Sequence, residues 1–141
     1  NLGQDIQLGH DTKPVTSPWQ VVDETGAQVE NLLAAGVPPE GIKIDPGFGF
    51  AKDPKINADL LLFPKLMNDD RFEYYIGVSR KSSLRRVNFC GELLADFDAM
   101  NEQQIEDWLD NRSVEVAKVA VENGFSWLRV HNVAVHAAAL H

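Results

Sequence analysis

Three short runs of β-forming residues constrain this chain most, because each ends in polar or charged residues and a helical stretch separates it from the next. The runs are 42–45 (IKID), 74–79 (YYIGVS) and 127–131 (WLRVH). Before the first run, Trp19, Val22, Val29, Leu32 and Leu33 recur near helical spacing, with Gly36 as the stop. Residues 54–67 predict a second helix with Leu60, Leu61, Leu62 and Leu66 inward. Residues 113–123 predict a third, with Val114, Ala117 and Val121 on one face and Gly124 as its cap, and 132–140 start a last one. Parallel neighbouring strands need a crossover, and a helix supplies it, so this alternation predicts parallel β/α units. Three or four such units make half of a barrel or an incomplete open sheet. The organisation reads as truncated.

At 141 residues and 44% hydrophobic, with seven Phe and three Trp, the chain can bury the core of one domain. Its net charge of −8 argues against a nucleic-acid partner, since phosphate binding needs clustered Lys and Arg. No apolar run approaches the roughly 20 residues that cross a bilayer, so no membrane partner is expected. A single cysteine, Cys90, excludes an internal disulfide and a cysteine-rich zinc site, and fits a reducing cytoplasm. Residues 1–18, polar and punctuated by Gly and Pro, read as a long loop. Residues 83–112 carry an acidic run and read as a solvated insertion. Leu93, Leu94, Phe97, Ile105 and Trp108 within it offer a partner-binding helix as the alternative.

In β/α folds, ligands bind beyond the C-terminal ends of the strands. Each run places chemistry there: Asp45 after the first, Ser79, Arg80, Lys81 and Ser82 after the second, Arg129 and His131 at the third. Each cluster alone has an ordinary explanation: an Asp-Pro turn, a solvated Arg-Lys loop, a structural Arg-x-His ion pair. Three clusters at three equivalent ends make coincidence a poor account. Their chemistry is also complementary. A carboxylate accepts from an amino-heterocycle, while Lys, Arg and His face an oxyanion or a phosphate.

The stretches DPGFGF (45–50), GVSRKSS (77–83) and RVHNV (129–133), in this order, strongly resemble the dihydropteroate synthase family. The resemblance implies an α/β fold: this chain would be the C-terminal half, about strands 5–8, of a (β/α)8 TIM barrel, with 1–18 as the loop after strand 4. It implies a transferase of folate biosynthesis. Such an enzyme condenses 6-hydroxymethyl-7,8-dihydropterin pyrophosphate with para-aminobenzoate to give 7,8-dihydropteroate and pyrophosphate.

By that resemblance Asp45 takes the amino and ring N–H edge of the pterin. Gly47 and Gly49 let the backbone pass close to the ring, and Phe50 walls the aminobenzoate. Lys81 donates to the pterin carbonyl, Ser82 meets the aminobenzoate carboxylate, Arg80 packs beside that ring, and Ser79 is counted among the substrate contacts. Arg129 and His131 hold the pyrophosphate, and with Lys81 they are the implied catalytic residues. Mg2+ is the implied cofactor, its ligand expected in the missing N-terminal half of the barrel. A homodimer is implied, and turnover is expected of the full-length parent rather than of this chain alone.

Two departures stand out: Asn132 replaces the family's usual aspartate, removing a negative charge beside Arg129 and His131, and Ala51 stands where glycine is common. The competing readings are a pterin binder of the corrinoid methyltransferase type, which has no pyrophosphate to hold, and a non-catalytic half-barrel.

Overall fold

The computed structural model describes residues 17–49, 54–89 and 91–140. Most of the expected 1–18 loop, together with Phe50, Ala51 and Cys90, lies outside the described residues. The fold is α/β. Three strands, β1 (Lys43–Ile44), β2 (Glu73–Gly77) and β3 (Trp127–Arg129), form a parallel sheet in the order β1-β2-β3. Lys43 pairs with Glu73 and Ile44 with Tyr74; Tyr75 pairs with Trp127, Ile76 with Leu128, and Gly77 with Arg129.

The period of two sorts the side chains. Ile44, Tyr74, Ile76 and Val78 point into the core, where Phe48, Leu60, Phe63 and Phe125 join them. On the other face, Lys43, Glu73, Trp127 and Arg129 are exposed. There Glu73 accepts from Trp127 Nε1 at 2.8 Å and faces Lys43 Nζ at 3.4 Å.

The helices follow local chemistry. Helix α1 (Pro18–Ala34) starts on Ser17, whose hydroxyl accepts from Trp19 N, with Pro18 at the first helical position, where its missing N–H costs nothing. Val21 and Val29 are its buried apolar residues, whereas Trp19 is exposed. The predicted helix over 54–67 is broken in two: α2 (Pro54–Leu60) and α3 (Phe63–Met67). Pro64 explains the break, because inside a continuous helix its ring would clash with the carbonyl of Leu60; here it sits in the first turn of α3. The break turns Leu62 outward, contrary to expectation, while Leu60 and Leu61 stay buried.

Helix α4 (Glu102–Glu122) begins eleven residues before the predicted start. Asn101 accepts from Gln104 N at 2.8 Å and Gln104 accepts from Asn101 N at 2.9 Å, a reciprocal cap that starts the helix there. The last third of the stretch read as an insertion, 102–112, is therefore α4. Phe97, ahead of that helix, is buried edge-on against Trp108, while Leu93 and Leu94 are exposed. Ala117 and Ala120 pack into the core, and Val121, expected inward, is exposed. Helix α5 (Val133–Leu140) packs against α4.

The early start of α4 can be tested directly. Asn101→Ala is expected to cost about 1 kcal/mol of stability in urea unfolding, the ordinary value of a lost N-cap. A helix that began near Ser113 would leave the substitution silent.

Candidate functional site

The loop after β1 is held from within. Asp45 Oδ1 accepts from Gly47 N at 2.8 Å, closing a turn in which Gly47 has φ +75°. Gly49, at φ +85°, donates its N–H to the buried Asn57 of α2 at 2.9 Å. Between them Phe48 is fully buried, with its ring edge-on to Phe89. Asp45 is half-buried, and one of its oxygens is committed to the turn that sequence alone offered as its ordinary role.

Gly49 was expected to leave space for a bound ring. The space is filled by Lys81 instead: a Cβ on Gly49 would stand 2.6 Å from Lys81 Cδ and 3.1 Å from Nζ. Lys81 Nζ donates to the Phe48 carbonyl and lies over the Phe48 ring. The lysine thus joins the loops after β1 and β2.

After β2 the chain turns sharply. Arg80 adopts a left-handed conformation, φ +54°, uncommon for a residue with a Cβ. Its N–H donates to Ser113 Oγ on α4, and its guanidinium grips Asp110 on the same helix, Nε to Oδ1 at 2.9 Å and NH2 to Oδ2 at 3.2 Å. Glu106 stands 3.7 Å from NH1. Arg80 therefore does not line the hollow described below; its fork is spent on α4. The Arg80 hydrogen bonds hold the Asp110 carboxyl below the usual carboxylate range, helped by Asn132 and opposed by burial. Ser82 is exposed, at the start of a short 3-10 turn, and does not line the hollow.

After β3, the register carries two residues past the Gly77–Arg129 pair to bring Ser79 beside His131. The buried Ser79 hydroxyl accepts from His131 N at 3.0 Å and lies 2.9 Å from His131 Nδ1. The hydroxyl has a hydrogen to give and a second lone pair to offer, so it pairs with Nδ1 in either imidazole tautomer. Ser79 thereby acts on His131. One step back, the Arg129 guanidinium lies over Gly77, where a Cβ would meet NH2 at 3.0 Å. Among the described residues the Arg129 side chain has no hydrogen-bonded or ion-paired partner.

Gly77, Ser79, Lys81, Arg129, Val130 and His131 line one hollow of about 330 Å3, the size of a small-ligand pocket. All six come from the GVSRK and RVH motifs, with Val130 between the two RVH site residues. Its polar groups are donors, suited to an anion. Gly77 was not singled out as a site residue from sequence, although a glycine inside a strand signals close approach. Asp110 was missed too, and no local pattern marks it. Asn132 donates to Asp110 Oδ2 at 3.1 Å and accepts from Val135 N, capping α5. A carboxylate thus stands beside this loop despite the missing aspartate at 132. Among the described residues no group of three or more His, Cys, Asp or Glu is arranged to hold a metal ion. No described helix is long and apolar enough to cross a membrane.

A family model described as "Pterin binding enzyme" matches residues 8–131. A curated dihydropteroate synthase of Neisseria meningitidis serogroup C is 36% identical over 115 residues, 81% of this chain and 36% of its own length. One from Mycobacterium leprae (strain TN) is 34% identical over 115 residues, with 81% and 37% covered. The chain thus spans little more than a third of the length of these curated relatives. Among solved structures, the dihydropteroate synthase from Xanthomonas albilineans in complex with 7,8-dihydropteroate superposes with a TM-score of 0.66 at 27% identity, covering 86% of this chain and 42% of that one.

Gly49→Ala should displace Lys81 from the Phe48 carbonyl and cost about 1–2 kcal/mol for a Cβ in a left-handed conformation. In a Lys81→Ala background the steric part of that cost disappears, leaving a coupling of at least about 0.5 kcal/mol in a double-mutant unfolding cycle. Strict additivity would mean that Lys81 does not occupy the space beside Gly49.

Proposed function

The chain belongs to the pterin-binding enzyme family, and from that premise we propose that it is the C-terminal part of a dihydropteroate synthase. The observation that carries this reading is the convergence of Lys81, Arg129 and His131 on one hollow at the C-terminal ends of β2 and β3. In the proposed reaction the aminobenzoate nitrogen forms a bond to the exocyclic methylene carbon of the pterin. The bond from that carbon to the pyrophosphate oxygen breaks, pyrophosphate leaves with the electron pair, and the amine gives up a proton to solvent.

Arg129 presents a flat fork of donors and His131 an imidazole N–H, both toward the charge that develops on the leaving group. Fixed donors aimed at developing charge are usually the largest catalytic term. In this proposal Lys81, tethered at the Phe48 carbonyl, donates to the pterin carbonyl, and the Asp45 carboxylate receives the pterin's N–H edge. Phe50 and Ser82 are proposed aminobenzoate contacts from the family motif. Mg2+ is proposed from the same resemblance, with its ligand outside this chain, and no step here is routed through it.

The exposed face of the sheet supports the finer reading of a barrel half. Parallel sheets normally have both faces covered, and here Lys43, Glu73, Trp127 and Arg129 lie open on one. The remaining strands of a (β/α)8 barrel would cover them. Homodimerisation and a cytoplasmic location complete the proposal.

In the full-length protein, Arg129→Ala and His131→Ala should each weaken binding of the pyrophosphorylated pterin at least about tenfold, the scale of a charge-assisted hydrogen bond. The bare pterin alcohol, which lacks the leaving group, should bind as before. Equal losses for both ligands in calorimetry would make the pair structural. Binding of methyltetrahydrofolate but not aminobenzoate would favour a methyltransferase.

The barrel reading has its own test. This chain alone should show no turnover of the two substrates, and adding the first half should restore it. Turnover by the isolated chain would sink that reading.

A further inference from the structure

Asp110 belongs to none of the three motifs, yet it touches the loops that carry two of them. Its side chain is 7% exposed, and both oxygens are taken. Oδ1 receives Arg80 Nε, while Oδ2 receives Arg80 NH2 and Asn132 Nδ2 at 3.2 and 3.1 Å. Arg80 stands between Ser79 and Lys81, and Asn132 follows His131, so one buried carboxylate joins the loop after β2 to the loop after β3.

The neighbouring contacts leave each partner little choice. The left-handed Arg80 also hangs from Ser113 Oγ of the same helix. With Arg80 turned to α4, Lys81 is directed the other way, to the Phe48 carbonyl. Asn132 Oδ1 accepts from Val135 N, and its carbonyl oxygen accepts from His136 Nδ1. Its NH2 group therefore faces Asp110, which is how the amide orientation is assigned. An aspartate at 132 would cap α5 as well as asparagine does. It would also set an oxygen, in place of a donor, about 3 Å from a buried carboxylate.

We propose that Asp110 is a positioning residue for the anion-holding end of the site, acting through Arg80 and Asn132 to fix Lys81 relative to His131, and that it requires an amide at 132. The part concerning the anion rests on reading the hollow as the pyrophosphate site. Arg80 adds little to that hollow, because Asp110 neutralises it. The positive lining is Lys81 and Arg129, with His131 as a donor.

The test is an exchange cycle in the full-length protein: Asn132→Asp, Asp110→Asn, and D110N/N132D. The ligand is inorganic pyrophosphate, measured by calorimetry in the cold so that all variants stay folded. The His131 imidazole is followed without ligand by 15N–1H NMR. N132D should weaken pyrophosphate binding at least about tenfold, the scale of a lost charge-assisted contact. In D110N/N132D the amide and carboxylate trade places at the wild-type net charge, and affinity should return to within about threefold, as expected of coupled neighbours.

The exchange variant keeps the extra negative charge beside His131, so a direct charge effect would leave it as weak as N132D. Either that result or a harmless N132D overturns the proposal. If the wild-type protein itself does not bind pyrophosphate, the functional reading fails and the clamp is judged on the imidazole signals. N132D should move them and D110N/N132D should return them. Signals that do not move in N132D overturn the clamp.

Discussion

The burial of alternate residues along β2 is the constraint from which the site follows. Tyr74, Ile76 and Val78 are 5%, 0% and 0% exposed, packed beneath the helices. With that row fixed, the intervening residues must lie on the other face, and a slip of one residue would exchange the two sets. Gly77 and Ser79 are therefore placed on the open face by the hydrophobic demand of their neighbours. Parallel pairing of Gly77 with Arg129 then sets Ser79 beside His131 without any further adjustment. The hollow is the C-terminal continuation of a register chosen by the core.

The strand ends were legible because they depend on local pattern: alternating β-formers followed by Gly, Asp, Arg and Lys. Less was legible where a distant contact or a single backbone angle decides. Arg80 reads as a site residue beside Lys81, yet a left-handed φ sends its fork to an acid 30 residues away on α4. Nothing local distinguishes Asp110 from the other acids of that helix. The start of α4 was legible in principle, since Asn101 and Gln104 stand three apart ahead of the helix, but the acidic composition around them suggested a solvated run. Pro64 likewise carried its own warning against a continuous helix. Gly49 was recognised as a close-approach position, and the approaching group proved to belong to the chain itself.

The three loops are also tied together in sequence. Lys81 links the second loop to the first through the Phe48 carbonyl, and Asp110 links the second to the third through Arg80 and Asn132. The loop after β2 is thus the hinge of the arrangement, held by opposite-facing cations at adjacent positions. Such alternation requires a sharp turn between them, and the strained φ of Arg80 supplies it. Backbone strain at a non-glycine residue typically persists where surrounding contacts over-determine it; here Ser113 and Asp110 provide those contacts.

Charge accounting at this end of the sheet follows from the same ties. The chain carries −8 overall, yet the hollow is lined by Lys81 and Arg129. A buried ion pair contributes little net charge and is costly to break from one side, so the Arg80–Asp110 pair orients its neighbours without adding to the hollow's positive character. The amide at 132 completes the balance. It satisfies the second oxygen of Asp110 with a neutral donor and leaves the pair with one positive and one negative member. With Glu106 already 3.7 Å from Arg80 NH1, a further carboxylate at 132 would add negative charge one residue from His131, where the site is built of donors. The identity of residue 132 is thus fixed by the helix behind it as much as by any ligand in front.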